Sequence, residues 1–99
     1  MAYKVIFSKQ AIKDLQKLKQ AGLERQVKVI TEILKQNPYQ TPPRFERLIG
    51  DLHDYFSRRI NIQHQYIYKV LPNDSNLQNE GGEIYTAVVH VLRMWTHYE

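Results

Sequence analysis

The chain has 99 residues, 42% hydrophobic and 24% charged, with four glycines and four prolines. That predicts one domain over 1–99, large enough for a core, and excludes a disordered or fibrous chain. The absence of cysteine excludes disulfide scaffolds, thiolate metal sites, cysteine nucleophiles and iron–sulfur clusters together. Fourteen Lys and Arg against ten Asp and Glu give a net charge of +4, and the excess lies in residues 1–49, with ten basic and four acidic side chains against four and six in 50–99. A basic half suits nucleic acid or an acidic protein partner, although charge alone equally fits a lysine-rich solvated helix surface. The opening MAYKVIFSKQ has no apolar run behind its charge, and no window approaches the roughly 18 apolar residues of a membrane span, so a cytoplasmic protein with no membrane contact is expected.

The first element is a short strand over Tyr3 to Phe7, followed by Ser8, whose hydroxyl can cap a helix by accepting from free backbone N–H groups. From Lys9 to Gln20 the apolar residues Ile12, Leu15 and Leu18 recur every three positions between lysines, which predicts an amphipathic helix. Gly22 can supply its left-handed stop. Leu23, Val27, Ile30, Ile33 and Leu34 form a second stripe that ends at Asn37-Pro38, because the residue before proline is pushed out of helical geometry. The run NPYQTPPR over 37–44 predicts a stiff, irregular crossing. From Tyr55 the period becomes two. Phe56, Ile60 and Ile62 fall on one face with Arg58 as a polar intruder, and Ser57, Arg59 and Asn61 fall on the other. Gln65 to Leu71 reads as the next strand, with Tyr66, Tyr68 and Val70 opposite Gln65, Ile67 and Lys69. A polar loop over 72–82 leads to a long, largely buried last strand from Glu83 to Tyr98, with a bulge near His90.

The expected order is β-α-α-β-β-β, an α+β fold in which a small antiparallel sheet has one face covered by a helical hairpin. Polar residues on the uncovered face then have no packing duty, and a charged groove can be built there. The candidates for chemistry are Glu46, Arg58, Arg59, His64, Gln65, Arg93, His97 and Tyr98. No phosphate-binding glycine loop, HExxH or EF-hand signature is present, and His53, His64, His90 and His97 lack zinc-like spacing, so no metal and no cofactor are expected. A carboxylate, a His or Tyr and several arginines are the residue types that metal-free RNA cleavage needs: a base for the 2′-hydroxyl, an acid for the leaving 5′-oxygen, and cations for the phosphate.

FERL at 45–48, SRRINIQH at 57–64, the tyrosine-bearing strand at 65–70 and the terminal RMWTHYE at 93–99 together resemble the YoeB/Txe toxins of the RelE-like superfamily. The resemblance implies a ribosome-dependent messenger-RNA endoribonuclease of a type II toxin–antitoxin module, with a cognate antitoxin, the ribosome and mRNA as partners and a homodimer as a possible state. It implies Glu46 as general base, His97 as general acid and Tyr98 as the residue that orients or stacks on RNA. Arg59, on the strand face left open, suits phosphate contact, and Arg58, Arg93 and His64 are further substrate-binding candidates, with a structural role as the alternative for Arg58 on the other face. Gln65 falls where the family usually has arginine, and a neutral amide supplies a hydrogen bond but no positive charge. A gyrase-poisoning toxin of the same fold has no use for Glu46 or the His97-Tyr98 ending. A homologue weakened at Gln65 remains as a further alternative.

Overall fold

A computed structural model describes residues 2–50 and 54–95. Strand β1 (Tyr3–Phe7) leads into helices α1 (Lys9–Gln20) and α2 (Glu24–Gln36), followed by β2 (Phe45–Arg47), β3 (Phe56–Arg59), β4 (Gln65–Pro72) and β5 (Ala87–Arg93). The five strands form one sheet in the order β1-β5-β4-β3-β2. Helix α1 begins where the sequence places it, with the Ser8 hydroxyl accepting from the Ala11 amide at 3.0 Å. It ends in a Schellman-type stop: Gly22 sits at φ +77°, the Leu23 amide reaches the Leu18 carbonyl at 2.8 Å, and the Gly22 amide reaches Lys19 at 3.1 Å.

The architecture departs from the expected one in three respects. The sheet is mixed, because β1 pairs in parallel with β5 while every other pair is antiparallel. The helical hairpin carries the chain from one sheet edge to the other, so β1 lies far from β2 and beside the last strand, which runs the same way. Phe45–Arg47 is a strand of its own, paired Glu46 to Ser57, that its three residues were too few to announce. Among the described residues the last strand covers Ala87–Arg93, and the end of the expected one, over 96–98, lies outside them. Its expected bulge is present as a step in pairing from Ile67–Arg93 to Tyr68–Val91, which leaves Leu92 as the extra residue. Ser8 Oγ donates to the Leu92 carbonyl at 2.8 Å.

Both helices pack on the face of the sheet formed by Tyr66, Tyr68, Val89 and Val91, with Leu18, Val27, Ile30 and Leu34 opposite them. Ile67 and Val88, on the other face, are also buried, so that face is open only in part. On α1 the buried line is Ala11, Asp14 and Leu18, and Ile12 is half exposed, which rotates the helix away from the stripe read in the sequence. The reason is Asp14. Its carboxylate is fully buried, accepting from Arg93 Nε at 2.8 Å, from the Met94 amide at 3.0 Å and from Gln10 at 3.1 Å.

Burial works against ionisation of Asp14, but the bonds from Arg93, Met94 and Gln10 outweigh it and hold the carboxyl below the ordinary value of 3.8. A group with a lowered folded-state pKa stabilises the fold above its unfolded-state value, and that contribution is lost as pH falls through the folded one. Asp14→Asn is therefore expected to cost about 2 kcal/mol at neutral pH. The deficit should shrink below about pH 3.8 as the wild-type carboxylate protonates. Urea midpoints measured across that range check it, and a deficit unchanged down to the acid limit would show that the charge of Asp14 contributes nothing.

Candidate active site

Strand alternation places Glu46 on β2, Ser57 and Arg59 on β3, and Gln65 on β4 on the sheet face away from the helices. Ser57 is the cross-strand partner of Glu46, and Arg59 that of Gln65. Together with Pro43 and Arg44 these residues line an open cleft of about 380 Å³. Glu46 Oε1 lies 3.1 Å from Arg44 Nη2, with both side chains well exposed. Gln65 Oε1 accepts from Ser57 Oγ at 2.6 Å, so its carbonyl end is occupied and its amide NH₂ remains as donor. The cleft thus holds a carboxylate, two guanidiniums, a hydroxyl and an amide.

Three candidates chosen from the sequence, Glu46, Arg59 and Gln65, are brought together here. Three others are not. Arg58 faces the helix side of the sheet and is 1% exposed, which favours the structural alternative for it over contact with substrate. Its Nη1 donates to the Pro43 carbonyl at 2.6 Å, and its Nη2 donates to Gln40 at 2.8 Å and to Pro38 at 3.0 Å. Nε reaches the Tyr68 hydroxyl at 3.1 Å, and the guanidinium lies 4.9 Å from the centre of the Phe45 ring. The Tyr68 hydroxyl itself donates to Pro38 at 2.9 Å; burial raises its pKa above that of an ordinary tyrosine even though Arg58 pulls the other way. The polar intruder on an apolar strand face is thus a cation that ties the proline-rich crossing to the sheet.

Arg93 is engaged by Asp14 under α1 and does not line the cleft. A guanidinium held by a fully buried carboxylate is committed to the fold. His64 is likewise buried, its ring stacked on Trp95 at 4.2 Å and 22°, with Lys17 Nζ 5.6 Å from the Trp95 ring centre. His97 and Tyr98 lie outside the described residues. Arg44 and Ser57 belong to the cleft although the sequence does not single them out for chemistry. Arg44 is legible in principle, since two residues apart on an extended segment face the same way, but that signal needs β2 to be recognised first. Among the described residues no group of three or more His, Asp or Glu side chains could hold a metal ion, and no helix is long and apolar enough to cross a membrane.

The sequence matches no protein-family model and no curated protein. Solved structures do match. A YoeB/ParE toxin from Agrobacterium tumefaciens is 22% identical with a TM-score of 0.73, covering 96% of this chain and 99% of that one. The YoeB dimer from Staphylococcus aureus is 20% identical with a TM-score of 0.71, covering 99% and 100%. The toxin in the DinJ-YafQ toxin-antitoxin complex of E. coli is 18% identical with a TM-score of 0.69, covering 98% and 94%. The two helices, the mixed five-strand sheet and these likenesses over nearly the whole chain show that this protein has the fold of the RelE-like toxins, of which the YoeB and YafQ proteins are examples.

Proposed function

We propose that this chain is the toxin of a type II toxin–antitoxin pair and that it cuts messenger RNA on the ribosome by acid–base catalysis. The observation that carries the reading is the cleft: Glu46 and Arg59, a carboxylate and an arginine of the kind such chemistry needs, converge on it with the Gln65 amide from three different strands. In this chemistry the 2′-hydroxyl gives its proton to Glu46 and its oxygen attacks the adjacent phosphorus. The P–O5′ bond breaks, and the departing 5′-oxygen takes a proton from a general acid, a role we assign to His97, with Tyr98 orienting the RNA. Arg59 and the Gln65 amide offset the negative charge that gathers on the phosphoryl oxygens. A site this open grips a short RNA only weakly on its own, which fits a toxin that works on substrate already held by a ribosome. A protein antitoxin is the expected partner, and self-association is expected by likeness to the YoeB dimer.

Two results would test the chemistry. Transcripts cut after induction should end in a 2′,3′-cyclic or 3′-phosphate, because the nucleophile is the neighbouring 2′-oxygen. A free 3′-hydroxyl would mean that water attacks, and would remove Glu46 from its role. Gln65→Arg adds a charge beside Arg59 and should speed single-turnover cleavage on ribosomes at least about tenfold, since one well-placed donor in such a site is worth on the order of 10²–10³ in rate. A slower variant would show that breaking the Ser57–Gln65 bond matters more than the added charge.

A further inference from the structure

The cleft contains a cation that the chemistry above leaves unused. Arg44 stands one residue before β2, projects to the same side as Glu46, and is 85% exposed. Its side chain is free to move but its backbone is anchored, because the carbonyl of the preceding Pro43 is held by buried Arg58. The base of the arm is therefore set by the fold, and only the guanidinium swings. An ion pair as exposed as Arg44–Glu46 is weak, because solvent screens both charges, so a better acceptor can displace the carboxylate. A phosphodiester is such an acceptor: its two charged oxygens match the planar fork of a guanidinium, and Arg59 in the same cleft offers a second cation to share it.

We propose, on the ribonuclease reading above, that Arg44 is a second phosphate-contacting arginine of this cleft, which passes its guanidinium from Glu46 to the RNA phosphate as substrate enters. The exchange has a consequence for Glu46. In the empty cleft its carboxylate is occupied by Arg44; once Arg44 turns to phosphate, that carboxylate is released to receive the 2′-hydroxyl proton. Substrate entry and release of the base are then one event.

The test measures binding of a 2′-deoxy-substituted ribotrinucleotide, which keeps its phosphodiesters but lacks the attacking 2′-oxygen. Titrations over a salt series compare wild type, Arg44→Gln and Lys13→Gln, the last removing the same charge from an exposed position of α1. Arg44→Gln should weaken binding at least about tenfold at low salt and reduce the slope of log affinity against log salt by about one, whereas Lys13→Gln should change affinity less than about twofold. Equal effects of the two substitutions, or a wild type that does not bind the probe at low salt, overturn the assignment. Cleavage on ribosomes is scored separately. Arg44-dependent binding without wild-type cleavage supports the phosphate contact while retiring the ribonuclease reading; wild-type cleavage with Arg44-independent binding does the reverse.

Discussion

Arg58→Met is expected to lower the unfolding free energy by about 3 kcal/mol, a large share of the stability of a small domain. The methionine fills much of the space and removes every donor. Three carbonyls, of Pro38, Gln40 and Pro43, lose their bond to the guanidinium at once, and leaving buried acceptors unsatisfied costs about 1–3 kcal/mol each. Tyr68 still donates to Pro38, and water can reach some of the others, while the cation's own desolvation cost disappears, so the net falls well below the sum. For a chain of this size the midpoint of thermal unfolding should drop by at least about 10 °C. Arg58→Lys should recover only a fraction, because a single ammonium cannot span acceptors arranged around a planar fork. A midpoint within about 3 °C of wild type would show that solvent replaces the clamp at little cost. Pro43 and Arg44 border the cleft, so the Met variant should also lose cleavage in conditions where it remains folded.

Glu46→Gln should reduce single-turnover cleavage on ribosomes by about 10²–10⁴, the usual contribution of a general base. The substitution is nearly isosteric, and its amide oxygen can still accept from Arg44, so fold and cleft shape are preserved. Only the ability to take a proton is lost. Affinity for the 2′-deoxy trinucleotide should not fall, and should rise modestly, because a negative charge that repels phosphate and competes for Arg44 has been removed. The separation of rate from binding distinguishes a base from a residue that merely shapes the cleft. A cleavage rate within about threefold of wild type would mean that another group accepts the 2′-proton.

Much of this protein is decided locally and can be read from the residue order. The Ser8 cap, the Gly22 stop and the Asn37-Pro38 break are backbone chemistry within a few residues, so both helices fall where the pattern puts them. Alternation along β3 and β4 is equally local: it places Ser57 and Arg59 on one face of β3 and sets Gln65 opposite Tyr66 and Tyr68 on β4, and the pairing of Arg59 with Gln65 then brings the three to one face. What alternation cannot say is which neighbour a strand chooses. The parallel β1–β5 pair depends on the helical hairpin crossing the whole sheet, and β2 is a strand only because Glu46 finds Ser57 beside it. The same limit governs the charged residues. Arg58, Arg59 and Arg93 are chemically identical in the sequence, yet Arg58 is enclosed by carbonyls from a proline-rich crossing some 15–20 residues away in the chain, Arg93 meets Asp14 across 79 positions, and Arg59 alone of the three lines the cleft. A guanidinium has no role of its own until the fold decides which acceptors surround it. Residue type sets what each arginine can do, and tertiary contact over long sequence separations sets which of them is available to a substrate.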